Sequence, residues 1–227
     1  MEGKTGYPIV PNFIAGFNGV VPSMARLVLT CARVLTKQFD PLRHGFGVAN
    51  TSVAFLCGRL FALCESDLPY EVKVTEDGDI ITLGRHDFGS IEPFLRMTAH
   101  PKIDKATGEA FCYGYDVKCA AIHDFAVTEN YVVFPDTQIV MNPWWILRGR
   151  SAVGIDPDKI PRLGIIPRYA EDERGMRWID APGFNMLHCV NAWEEDGGGA
   201  IVMVASNIVS AEHIFDDMES SQLTLRS

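Results

Sequence analysis

Long apolar runs are missing from this 227-residue sequence. None approaches the roughly 20 residues that a helical membrane span needs, so no transmembrane helix is expected. A basic face is missing too. The formal net charge is -9 and the 20 Lys and Arg residues are dispersed, which argues against nucleic acid as a partner, because phosphate contacts need clustered cations. Closely spaced cysteines are absent: Cys31, Cys57, Cys64, Cys112, Cys119 and Cys189 form no CxxC. The opening Met1-Glu2-Gly3-Lys4 is no recognisable targeting or secretory peptide. Reduced thiols in an intracellular compartment are therefore expected. Also lacking are GxSxG, GxxxxGK and HExxH, and Gly45-Phe46-Gly47 has neither the third glycine nor the helix of a dinucleotide fingerprint. Hydrolase, kinase and dehydrogenase readings have no foothold.

What is present is an ordinary globular composition, 47% hydrophobic and 22% charged, which excludes disorder. Gly and Pro make residues 1–19 an irregular lead-in. A helix is expected over 22–37, opened by Pro22-Ser23, with Met24, Leu27, Val28, Cys31, Val34 and Leu35 at helical spacing. Such a helix packs most simply on its own domain. Its apolar face beside Arg26, Arg33 and Lys37 also suits an anionic lipid surface.

From Asn50 the texture is all-β, with short strands and turns every eight to twelve residues. Strands are expected at 53–57, 59–64, 70–74, 80–83, 109–115, 162–166, 176–180, 187–193 and 200–205. A further pair flanks the Thr128-Glu129-Asn130 turn, the second of them ending at Pro135. Prolines 135, 143, 157, 161 and 167 mark loops and edge strands. After Ser206 the chain turns polar and weakly helical at 210–218.

His100, His123 and His188 stand out because each is expected at the same end of a β-hairpin. Their separations, 23 and 65 residues, match no zinc finger, whose ligands come in close pairs. Ligands this dispersed suit a site on the axis of a β fold. Imidazole serves Fe, Zn, Cu and Ni alike, and three or four nitrogen ligands leave positions open for O2 or water. Each ligating ring also needs a partner for its other nitrogen. Glu65, at a turn after the 59–64 strand, reads on its own as an exposed turn carboxylate.

Five local sequences add to this. Thr98 to Asp104 (TAHPKID), His123 to Asn130 (HDFAVTEN) and Leu187 to Glu195 (LHCVNAWEE) resemble three signature motifs of the carotenoid cleavage oxygenases. Ala62 to Tyr70 (ALCESDLPY) and Pro161 to Tyr169 (PRLGIIPRY) resemble the plant branch, nearest the type-four carotenoid cleavage dioxygenases. The likeness runs from about Gly6 to about Met218, with the motifs in order.

The resemblance implies a partial seven-bladed β-propeller with a non-haem Fe(II) on its axis. His100, His123 and His188 match three of the four histidine ligands, and Glu65 matches an orienting glutamate beside them. The implied reaction is cleavage of a carotenoid C=C bond by O2 to two carbonyl products, in a plastid, with helix 22–37 as a peripheral membrane contact. His44, His86 and His213 fall outside the ligand motifs and are expected in surface or capping roles. The family's chain is more than twice as long, so a single incomplete domain is expected: lead-in 1–49, blades 50–206, tail 207–227. A fourth histidine ligand has no match, and a segment between Tyr115 and His123 is missing. A truncated, non-catalytic relative is therefore the alternative, and turnover by the 227-residue chain is expected to be slight.

Overall fold

Four short extended segments between 52 and 85 build the first sheet. The computed structural model describes residues 20–40, 45, 47, 49–90, 94–115, 122–142 and 153–208. The lead-in 1–19, His44, His213 and the expected helical tail lie outside them. The chain divides into two compact units, Met1–Lys118 and Cys119–Ser227.

In the first unit, helix α1 (Val20–Leu35) starts and ends about two residues earlier than expected. It stops because Lys37 adopts φ 58°, which lets the Gln38 and Phe39 amides both turn back to the Arg33 carbonyl. Strands β1 (Ser52–Leu56), β2 (Arg59–Leu63), β3 (Tyr70–Val74) and β4 (Ile80–Arg85) form an antiparallel meander in chain order. Leu56, Phe61 and Leu63 point from one face into a core with Met97 and Ala99. On the other face, Val53 and Phe55 remain 65% exposed.

The expected strand 109–115 is two strands with different partners. Segments β5 (Arg96–Met97) and β6 (Lys102–Ile103) pair respectively with β8 (Gly114–Tyr115) and β7 (Ala110–Phe111). The chain passes from one partner to the other at Cys112-Tyr113. Gly114 allows the close approach, since a Cβ there would come within 2.6 Å of the Phe94 ring.

Below the β2–β3 turn lies a buried carboxylate. Asp67, 3% exposed, accepts from the Gly47 amide at 2.7 Å, the Leu68 amide at 2.8 Å and the Tyr70 hydroxyl at 2.7 Å, and pairs with the Arg85 guanidinium. Burial, and then the Asp67 charge, push the Tyr70 phenol well above its usual range. Gly45, at φ 70°, admits no side chain, because a Cβ would lie 2.1 Å from the Asp67 carboxylate.

In the second unit, β9 (Ala126–Val127), β10 (Tyr131–Asp136), β13 (Arg162–Pro167) and β14 (Arg177–Asp180) form another antiparallel sheet, ordered β14-β13-β10-β9. A hairpin of β11 (Ile139–Met141) and β12 (Val153–Ile155) is inserted between β10 and β13. A long hairpin, β15 (Met186–Glu195) with β16 (Ala200–Asn207), completes the unit. Strand β10 does not end at Pro135. It runs on to Asp136 because β9 pairs only at Val132 and Val133, so the proline faces an edge where no amide is needed.

Replacing Asp67 by Ala is expected to destabilise the first unit by about 3–5 kcal/mol, the cost of leaving a buried cation unpaired. Urea unfolding followed by Trp-independent far-UV signal measures this; a loss under 1 kcal/mol would contradict the role given to Asp67.

Candidate metal centre

Each unit contributes a histidine site of its own. In the first, His100 follows β5, and its backbone is pinned on both sides. The His100 amide donates to Thr98 Oγ1 at 3.0 Å, the Thr98 amide donates to the Tyr113 carbonyl at 3.0 Å, and the Ser52 hydroxyl donates to the Ala99 carbonyl. Thr98 and Ala99 are fully buried. His100 Nε2 faces Glu65 Oε1 at 3.7 Å, and Glu65 Oε2 accepts weakly from Thr51 Oγ1 at 3.4 Å. Glu65 is therefore no exposed turn residue: its side chain is 16% exposed and turned toward His100. The Met97 amide, donating to the Asp67 carbonyl at 3.1 Å, ties the turn that carries Glu65 to the strand that leads to His100.

In the second unit, His123 and His188 stand edge to face, with ring centroids 4.8 Å apart and planes at 71°. Both lie at the open ends of their hairpins, β9–β10 and β15–β16, as expected, but the local backbone differs from the expectation. His123 lies in irregular backbone three residues before β9, and His188 lies within β15. The ladder starts late because Asp124 Oδ1 takes the Phe125 amide at 2.8 Å, a side-chain bond that competes with strand pairing. The other Asp124 oxygen, Oδ2, accepts the Cys189 amide at 2.8 Å and lies 4.0 Å from His188 Nδ1.

Farther along the same strand, Glu194 clamps the β9–β10 turn. It accepts from Thr128 Oγ1 at 2.6 Å, the Asn130 amide at 2.7 Å and Asn130 Nδ2 at 2.8 Å. These bonds, the Asn130 side chain first and Thr128 next, hold the Glu194 carboxyl below the usual range. Asp124 and Glu194 are absent from the site residues read from sequence. The available signal for Asp124 was an acid within the apolar run Ile122 to Ala126, beside a candidate ligand. The His86 ring, expected at the surface or in a cap, instead packs half-buried: it stacks on Phe61, with centroids 5.4 Å apart, and meets Phe88 edge-on.

The donors fit a borderline metal. His100 and His123 are half-buried and His188 is more open. A carboxylate lies 3.7 Å from one nitrogen of His100 and 4.0 Å from one of His188, leaving the opposite nitrogen of each ring for a metal.

A mostly-β protein with histidine sites backed by carboxylates is the class that fold and site define. The family model described as RPE65, retinal pigment epithelial membrane protein, matches residues 17–121 and 116–227. The chain belongs to this carotenoid oxygenase family. The two matched stretches overlap at 116–121. Among curated relatives, the probable carotenoid cleavage dioxygenase 4 of Arabidopsis thaliana is 46% identical over 96% of this chain and 41% of its own length. The 9-cis-epoxycarotenoid dioxygenase NCED1 of Oryza sativa subsp. japonica is 48% identical over 96% of this chain and 38% of its own. The chain thus spans about 40% of the length of these relatives. Among solved structures, the lignostilbene dioxygenase of Pseudomonas brassicacearum superposes with a TM-score of 0.55 at 28% identity, over 66% of this chain and 37% of that one. Cobalt-substituted Synechocystis ACO gives 0.56 at 24% identity, over 72% and 40%.

Because the folded Glu194 pKa lies below its unfolded value, the clamp's stabilisation is complete above the ordinary carboxylate range. It is lost as pH falls through the depressed value. Thermal melts from pH 7 to 3 should show that acid-side loss shrinking in Glu194→Gln; an unchanged profile would remove the clamp from the account.

Proposed function

We propose that the protein is a non-haem iron carotenoid dioxygenase, which cleaves a carotenoid C=C bond with O2 to give two apocarotenoid carbonyl products. The observation that carries this reading is the His123–His188 pair at 4.8 Å, in motifs that match the family's ligand motifs. His100, turned toward Glu65, is assigned as the third ligand, and Fe(II) as the metal. Both oxygen atoms go into the products, so no reducing cosubstrate is required.

Bound iron would supply a centre for O2 activation that organic side chains lack. The chain's own residues bind and orient. The three imidazoles would hold the metal through nitrogen, and Glu65, 3.7 Å from His100 Nε2, would help orient that ring. The two four-stranded meanders are proposed as blades of a β-propeller, with the exposed Val53 and Phe55 face shaped to stack on a neighbouring sheet. Relatives named chloroplastic support a plastid location.

No helix among the described residues is long and apolar enough to cross a membrane. On α1, however, Val28, Cys31 and Leu35 lie at i, i+3, i+7, and Val28 and Leu35 are 63% and 83% exposed. That stripe is proposed to dip into a lipid surface, where apolar carotenoids dissolve. The Leu27 side chain lies outside the described residues.

The chain, purified anaerobically, should bind one equivalent of Fe(II), and His123→Ala and His188→Ala should each lose it. Carotenoid absorbance in detergent micelles should then fall far more slowly than with a full-length relative, and only when iron is bound. Stoichiometric iron retained by both variants would refute the assignment. For α1, sedimentation with anionic vesicles should fall at least several-fold in the Val28→Asp, Leu35→Asp double variant. Equal sedimentation would remove the lipid contact.

A further inference from the structure

We propose that Asp124 is the positioning residue that sets the spacing and mutual angle of the His123 and His188 rings. The inference rests on reading those two histidines as ligands. The residue after one histidine accepts the backbone amide of the residue after the other, so a single carboxylate ties the two ligand-bearing segments at equal offsets.

Regular pairing does not do this by itself. Strand β9 is two residues long and begins three residues after His123. On the other side, the β15–β16 register shifts between Met186 and Cys189 and again between Cys189 and Asn191, so His188 sits in an irregular stretch. The two amides there are taken by side chains: His188 N donates to Ser206 Oγ at 3.0 Å and Cys189 N to Asp124 Oδ2 at 2.8 Å.

Asp124 is 2% exposed, and each of its oxygens receives a backbone amide, from Phe125 and from Cys189. Bonds to an ionised acceptor are shorter and roughly twice as strong as neutral ones. Asparagine fills the same volume but offers one acceptor oxygen, and its NH2 would meet the second amide donor to donor. Asp124→Asn therefore leaves one of the two amides without its acceptor, and strains the Cys189 tether or the Phe125 bond, while keeping the cavity filled. The same Oδ2 lies 4.0 Å from His188 Nδ1.

The test uses Co(II) as a spectroscopic probe on the full 227-residue chain. The wild type should show visible d–d bands that disappear in His123→Ala. Asp124→Asn should shift those bands and weaken Co(II) binding by about 10–100-fold, the usual cost of losing a group that supports a ligand. Glu194→Gln, which loosens the neighbouring turn without touching Asp124, should keep the wild-type spectrum. A folded Asp124→Asn chain with wild-type bands and affinity overturns the proposal. Wild-type bands that survive His123→Ala overturn the ligand reading itself, and the proposal with it. Hydrogen exchange on the unaltered chain gives a check independent of variant folding. The Phe125 and Cys189 amides should both be protected, and a Cys189 amide exchanging as fast as an open loop overturns the tether.

Discussion

A carboxylate taken out of water costs several kcal/mol unless donors surround it, and two buried carboxylates, Asp67 and Asp124, meet that constraint next to a histidine site. Asp67 gathers two backbone amides, a phenol and a guanidinium. Asp124 gathers the backbone amide of its neighbour Phe125 and that of Cys189, 65 residues away from it. In both places the carboxylate is satisfied only when the chain takes one arrangement. That requirement places backbone which the strand ladders leave irregular. The turn bearing Glu65 is held through Asp67, and the segment bearing His123 is held through Asp124. Ordinary hydrophobic burial of Phe61, Leu63 and Phe125 stabilises the sheets but fixes neither turn.

Much of the first sheet is legible in the alternation of its residues. Strand β3 falls at the residues expected, and β2 and β4 differ by one or two at an end, because turns at Gly58 and Gly78 mark where the strands stop. The same reasoning fails at 109–115, since alternation predicts extended backbone but not which strand it pairs with. The break at Cys112-Tyr113 comes from a change of partner. At Pro135 the error has the opposite sign. A proline ends a strand only where its missing amide was needed, and the short β9 leaves that position without a neighbour.

The site was legible as chemistry more than as geometry. Three histidines in motif context pointed to a metal, and Glu65 acquired a role only through the resemblance. Asp124 and Glu194 act through distant partners, Cys189 on one side and Thr128 and Asn130 on the other. Such long-range acceptors have no periodicity to betray them. The three histidines do sit at the open ends of β6–β7, β9–β10 and β15–β16, yet their local backbone differs: His100 and His123 precede short strands and His188 sits inside one.

The central claim is that His100, His123 and His188 bind one iron together. X-ray absorption at the iron edge of the Fe(II)-loaded chain tests it most directly. The account predicts a nitrogen-rich first shell with outer-shell scattering from three imidazole rings, falling to two rings in His100→Ala. A shell of oxygen ligands without imidazole scattering, or a spectrum unchanged by His100→Ala, would contradict it.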